Sequence, residues 1–95
     1  VWVTGMGSPV PNPCRIAVSL PFIVAPGDEH GVAVEVYDLC GRIVRTLVDG
    51  DAGIGSQTAI WDLTDARGAQ VPDGIYFLRL RGPGVSAIAP LVVLR

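Results

Sequence analysis

Few side chains in this chain are suited to chemistry, and their spacing argues against a catalytic centre. A hydrolase needs a nucleophile or an acid–base set held together in a cleft. His30 is the only histidine, and Pro26-Gly27-Asp28-Glu29-His30-Gly31 is a loop by composition, so it reads as solvated. Asp49 and Asp51 within DGDAGIGS begin like a calcium loop, but the further acidic ligands and closing glutamate of an EF-hand are missing. Asp62, Asp65 and Asp73 share one long loop and read as turn-formers. Trp2, Tyr37 and Tyr76 would suit a carbohydrate platform, yet aromatics make up only 6% of the chain and packing claims most of them. No glycine-rich phosphate motif follows a strand and opens a helix. The expectation is a protein that is not an enzyme and needs no cofactor or metal.

Cys14 and Cys40 leave two readings open. A disulfide between them would close a loop of about 27 residues and contribute roughly 3–4 kcal/mol through chain entropy, in the oxidising setting of an exported protein. Alternatively, both are free thiols that pack as small hydrophobes. A structural zinc site is the poorest fit, because it wants four ligands and the chain offers two cysteines and one distant histidine.

The elements that must position these groups are short strands. Ninety-five residues make one small domain, in which roughly 60–65% of the unfolded chain's surface can be buried. The hydrophobic fraction is 49%, charged residues are 17%, and there are 12 glycines and 8 prolines. That mixture suits strands joined by tight turns, and no stretch carries a helical apolar repeat. All 7 basic residues are arginine and the net charge is −2, with no basic cluster to hold nucleic acid or an anionic membrane. No apolar run approaches the ~20 residues of a membrane-spanning helix, so no membrane insertion is expected.

The hairpin of residues 32–48 is the clearest element. Val32, Val34 and Val36 alternate with Ala33, Glu35 and Tyr37, the turn chemistry of Asp38-Leu39-Cys40-Gly41 follows, and Arg42 to Val48 resumes a β-rich run. Ile16, Val18 and Leu20 mark an earlier core strand that Pro21 ends or edges. Gln57 to Trp61, with Trp61 as a core anchor, Ile75 to Arg81 and residues 85–95 supply the rest; Pro90 suggests an edge strand or a bulge in the last. Residues 1–11 read as an extended, apolar N-terminal segment, rich in proline, and residues 12–95 as the folded domain. Strands at this spacing without helices predict an all-β, immunoglobulin-like antiparallel β-sandwich of about seven strands.

Together these stretches look familiar. Asn12-Pro13, Ser19-Leu20-Pro21, Val36-Tyr37-Asp38-Leu39-Cys40-Gly41-Arg42 and Thr46-Leu47-Val48-Asp49-Gly50 come first. Trp61-Asp62, Asp65-Ala66-Arg67-Gly68, Gly74-Ile75-Tyr76-Phe77-Leu78-Arg79-Leu80 and Val92-Val93-Leu94-Arg95 complete the order. Over residues 12–95 the chain resembles the immunoglobulin-like domain of the flagellar hook-capping protein and the closely similar C-terminal sorting tails of the type IX secretion system. It departs from their pattern at Cys14 and Cys40, in the longer apolar segment from Phe22 to His30, and at Ala89-Pro90, where a basic residue is common. The resemblance implies a non-catalytic, seven-stranded sandwich that either scaffolds a filament or addresses large proteins across the outer membrane.

Three functional readings follow. The first is an exported structural module at the cell surface that self-associates into a filament, its N-terminal strand adding to the sheet of a neighbouring copy through Val1, Trp2, Val3 and Val10. The chain's start at Val1, without an initiator methionine, fits a processed, secreted product. The second is a sorting domain from the end of a larger secreted protein, with the secretion machinery as its partner. The third is a carbohydrate-binding module.

Overall fold

The computed structural model describes residues 4–95. Val32, Val34 and Val36 are fully buried while their alternate neighbours face away, which is what period-2 patterning requires of a strand with one wet face. The described residues form β1 (Gly5–Met6), β2 (Val18–Val24), β3 (Val32–Tyr37), β4 (Ile43–Gly50), β5 (Gly55–Trp61), β6 (Gly74–Gly82) and β7 (Val85–Val93), and a similar alternation of burial runs through β2, β5, β6 and β7. They form two antiparallel sheets, ordered β1-β2-β5 and β4-β3-β6-β7. The expected all-β, immunoglobulin-like β-sandwich of seven strands is therefore the fold observed.

The core lies between the sheets. β2 contributes Val18, Leu20, Phe22 and Val24, β3 its three valines, β5 Ala59 and Trp61, β6 Tyr76, Leu78 and Leu80, and β7 Leu91 and Val93. Trp61 is fully buried, as its role of anchor demands. Its ring meets that of Tyr76 edge-on at 5.5 Å and 66°, and its Nε1 donates to the Thr64 carbonyl at 2.8 Å. The indole thus buries its large apolar surface without orphaning its one donor.

Local chemistry sets the turns. Gly82-Pro83-Gly84-Val85 joins β6 to β7 in a two-residue loop, with proline holding the first central position and Gly84 the second at φ 70°. Only glycine takes that conformation without strain, so the order Pro-Gly fixes the register of the hairpin. Between β5 and β6, Asp62 Oδ1 accepts from the Thr64 backbone, and Asp65 Oδ1 accepts from the Arg67 and Ala69 N–H groups at 2.9 and 3.0 Å. These two aspartates are turn-formers, as expected. Asp73 serves otherwise, accepting from the Arg95 backbone and guanidinium.

The first strand corrects the sequence reading. Ile16 is 84% exposed and lies outside β2, and the strand continues through Pro21 to Val24. The reason is directional. Ser19 exchanges both backbone hydrogen bonds with Val10, so the peptide groups of Ser19, Pro21 and Ile23 point toward the N-terminal segment and those of Val18, Leu20, Phe22 and Val24 toward β5. On the N-terminal side only the Pro21 carbonyl is used, by the Gly7 N–H at 2.8 Å, so no ladder bond needs the missing donor. Pro90 does lie in an edge strand, in even register with Phe77 and with no bulge against β6.

Candidate functional site

The N-terminal segment, set apart in the sequence, is used within this domain from Thr4 onward. Thr4 is buried, donates to Asp28 and accepts from the Ala25 N–H. Gly5 and Met6 pair with Ile23 and Phe22, and Val10 pairs with Ser19 at 2.8 and 2.9 Å. Asn12 and Cys14 then cross to the other sheet and cap the free edge of β7, where Cys14 bonds Val92 and Leu94. Of the residues named for strand donation, Val1, Trp2 and Val3 lie outside the described residues. Val10 spends its backbone on its own β2, with its side chain 58% exposed.

Cys14 and Cys40 are free thiols, one buried and one exposed, so the disulfide reading does not hold in this structure. Cys14 flanks β7 beside Val93, which pairs with Gly74 of β6, while Cys40 lies in the turn that follows β3. Two strands stand between them, roughly 14 Å at ~4.8 Å per strand, about twice the Cα separation that a bridge tolerates. Cys14 Sγ donates to the Val92 carbonyl at 3.3 Å, and burial pushes its pKa up.

His30 and Asp51 meet at 2.9 Å on the surface, with both side chains more than 80% exposed. The hydrogen bond to Asp51 raises the imidazole's pKa, helped by the charges of Asp51 and Glu29. Among the described residues no three histidine, cysteine, aspartate or glutamate side chains converge as a metal site would require. Tyr37 and Tyr76 lie on opposite faces of their sheet: Tyr76 is in the core, donating to the Pro72 carbonyl at 2.6 Å, and Tyr37 is outside. They cannot form one carbohydrate platform.

The chemistry that the fold assembles is on the outer face of the four-stranded sheet. Register places side chains there in rows across the strands. One row runs Ile43, Tyr37, Phe77, Pro90; the next runs Thr46, Glu35, Arg79, Ile88; the third runs Asp49, Ala33, Arg81, Ser86. Glu35 is buried in the middle of this face. Arg81 grips its carboxylate with two bonds, at 2.8 and 3.0 Å, and the Tyr37 hydroxyl donates to it at 2.9 Å. The Arg81 hydrogen bonds outweigh the cost of burial and hold the Glu35 carboxyl below its ordinary range.

Between the first two rows and the β3–β4 turn lies an open groove of about 390 Å³, lined by Tyr37, Leu39, Gly41, Phe77, Arg79 and Ile88, with Asp38 at its rim. Leu39 and Ile88 are 67% and 61% exposed, so the groove offers open apolar surface on two sides. Asp38 is fully engaged, accepting from the Cys40 and Arg42 N–H groups and the Arg42 guanidinium. Arg79 is not: its Nε donates to Ser86 Oγ at 3.3 Å, and no ion pair among the described residues includes it.

A second feature is the free side of β5. Because the backbone of Trp61, Ala59, Gln57 and Gly55 faces β2, that of Ser56, Thr58 and Ile60 points away from the sheet. Other edges are blunted: β4 carries two register irregularities and accepts a bond from the Ala66 N–H, and β7 is capped by residues 12–14. The β5 edge has no charge, proline or irregularity.

No family model matches this chain, and no curated protein matches it in sequence. Two solved structures from Porphyromonas gingivalis are similar in fold. PorZ, an essential bacterial surface component of the type IX secretion system, matches 96% of this chain at TM-score 0.66 and 24% identity. Dimeric latent PorU matches 97% at TM-score 0.71 and 27% identity. The chain spans only 12% and 9% of the length of those two proteins. The fold implied by the resemblance in sequence is thus found in a type IX secretion component, as one module of a much longer chain.

Proposed function

We propose that this chain is a non-catalytic sandwich module through which a larger exported protein is handled by secretion machinery of the type IX kind, and that it ends at the cell surface or in the medium. One observation carries the reading: nearly all of the chain superposes on about a tenth of each of two long proteins, one of them a surface component of that system. The geometry agrees with a docking role. Its polar clusters are spent on turns and on the Glu35–Arg81 pair, while a largely apolar groove on the outer face and the bare β5 edge are left for partners. The test is to fuse residues 1–95 behind a periplasmic reporter in a bacterium with a working type IX system. The reporter should reach the surface or medium there and stay in the periplasm of a strain lacking the system. Equal distribution in both strains would overturn the reading.

The filament reading ranks second. Since the N-terminal segment lies along β2 of its own domain, donation to a neighbour would exchange one such pairing for an identical one. Its association cost in translational entropy falls only at high local concentration, and polymers seen by electron microscopy of the full chain, abolished by deleting residues 1–8, would favour it.

A further inference from the structure

The groove on the outer face carries an inference beyond export. Its walls are apolar: Tyr37 and Phe77 are half-buried and Leu39 and Ile88 exposed, so an occupant must bring apolar surface to cover them. Its charges are unequal in availability. The Asp38 carboxylate is saturated by the backbone and guanidinium of its own turn, with one side chain oxygen holding two N–H groups. The Glu35 carboxylate, directly across the strands from Arg79, is saturated by Arg81 and Tyr37. Arg79 feels the Glu35 charge across the strands but, among the described residues, makes no ion pair, and its guanidinium donates only to the Ser86 hydroxyl. Guanidinium N–H donors without an ion-pair partner, set among apolar walls, are complementary to a carboxylate carried on an apolar body.

We propose that this groove binds an extended peptide segment of a partner protein in which a glutamate or aspartate is flanked by aliphatic or aromatic side chains. The carboxylate meets the Arg79 guanidinium, and a neighbouring side chain lies against Phe77, Ile88 and Leu39. Gly41, at φ 81°, lines the groove without adding a side chain to it. Specificity comes from pairing: a neutral amide in place of the carboxylate leaves Arg79 as poorly partnered as before, while the apolar contacts remain.

The probe is acetyl-Leu-Glu-Leu-amide, compared with its glutamine counterpart and titrated into the isotopically labelled full chain with backbone shifts followed by NMR. Shift changes should cluster at Tyr37, Phe77, Arg79 and Ile88, with the glutamate peptide bound roughly tenfold more tightly. In Arg79→Gln, a substitution on a solvent-facing strand position, the preference should vanish while the spectrum keeps its dispersion. Ile88→Ser should weaken both peptides alike. Equal binding of the two peptides, a preference that survives Arg79→Gln, or no localised shifts at the highest soluble concentration would overturn the proposal. The groove need not be what the export machinery reads, so the two are scored apart. A domain that binds the glutamate peptide but carries no reporter out supports the groove and overturns the export reading; export without peptide binding overturns the groove alone.

Discussion

Glu35 and the two cysteines show how position in the fold, rather than residue type, decides what a side chain does. Glu35 alternates with buried valines and its pattern alone suggests a solvated face, yet it is almost covered, because Arg81 and Tyr37 close over it. Its folded-state pKa lies below the ordinary 4.5, so folding releases protons as pH passes through that range. The pair therefore stabilises the fold fully above the unfolded value near 4.5 and loses that contribution as pH falls through the lowered folded value. Unfolding followed by circular dichroism from pH 6 to pH 3 should therefore show a stability decline that is shallower in Glu35→Gln. An identical slope would contradict the pairing. The cysteines give a second check: iodoacetamide should label Cys40 promptly in the native protein and Cys14 only after denaturation, by mass spectrometry. The sequence offered no way to separate these two thiols, since burial at Cys14 depends on a contact with Val92 that is far away along the chain.

At the scale of elements, alternation was legible wherever a strand has one wet face, and β3, β5 and β6 appear almost where their apolar period puts them. Alternation failed at β2. A proline there signals an ending only if its nitrogen faces a donor-hungry neighbour, and that direction is set by tertiary pairing with residues 5–10. The fate of the N-terminal segment was illegible for a related reason: an apolar strand carries no mark of whether its partner is its own sheet or another copy's. Its intramolecular docking makes a prediction. Deleting residues 1–8 removes the β1 ladder and the Thr4 bonds and should lower Tm by roughly 10 °C, the equivalent of ~2 kcal/mol in a domain of this size. An unchanged Tm would mean that the segment is not held. The groove was beyond sequence reading altogether, because Arg79, Ile88 and Tyr37 become neighbours only through the registers of β3, β6 and β7.

For the whole molecule, a thin core holds seven short strands together, and on the proposed reading partners meet its free edge and outer groove. Trp61 ties β5 to β6 through Tyr76 and to the following loop through Thr64. Trp61→Ala should cost about 3–5 kcal/mol, a large part of what so small a domain has to spare, and broaden its thermal transition. That variant also supplies the sharpest test of the docking claim. A reporter carried by the intact domain is compared with one carried by Trp61→Ala in the same type IX-competent strain, scoring the fraction that protease can reach on intact cells or that appears in the medium. The intact sandwich should be exported efficiently and the variant retained in the periplasm, because the surfaces that dock exist only when the sheets are packed. Equal export of both would contradict it, and would put the signal in a linear stretch of sequence instead of in the fold.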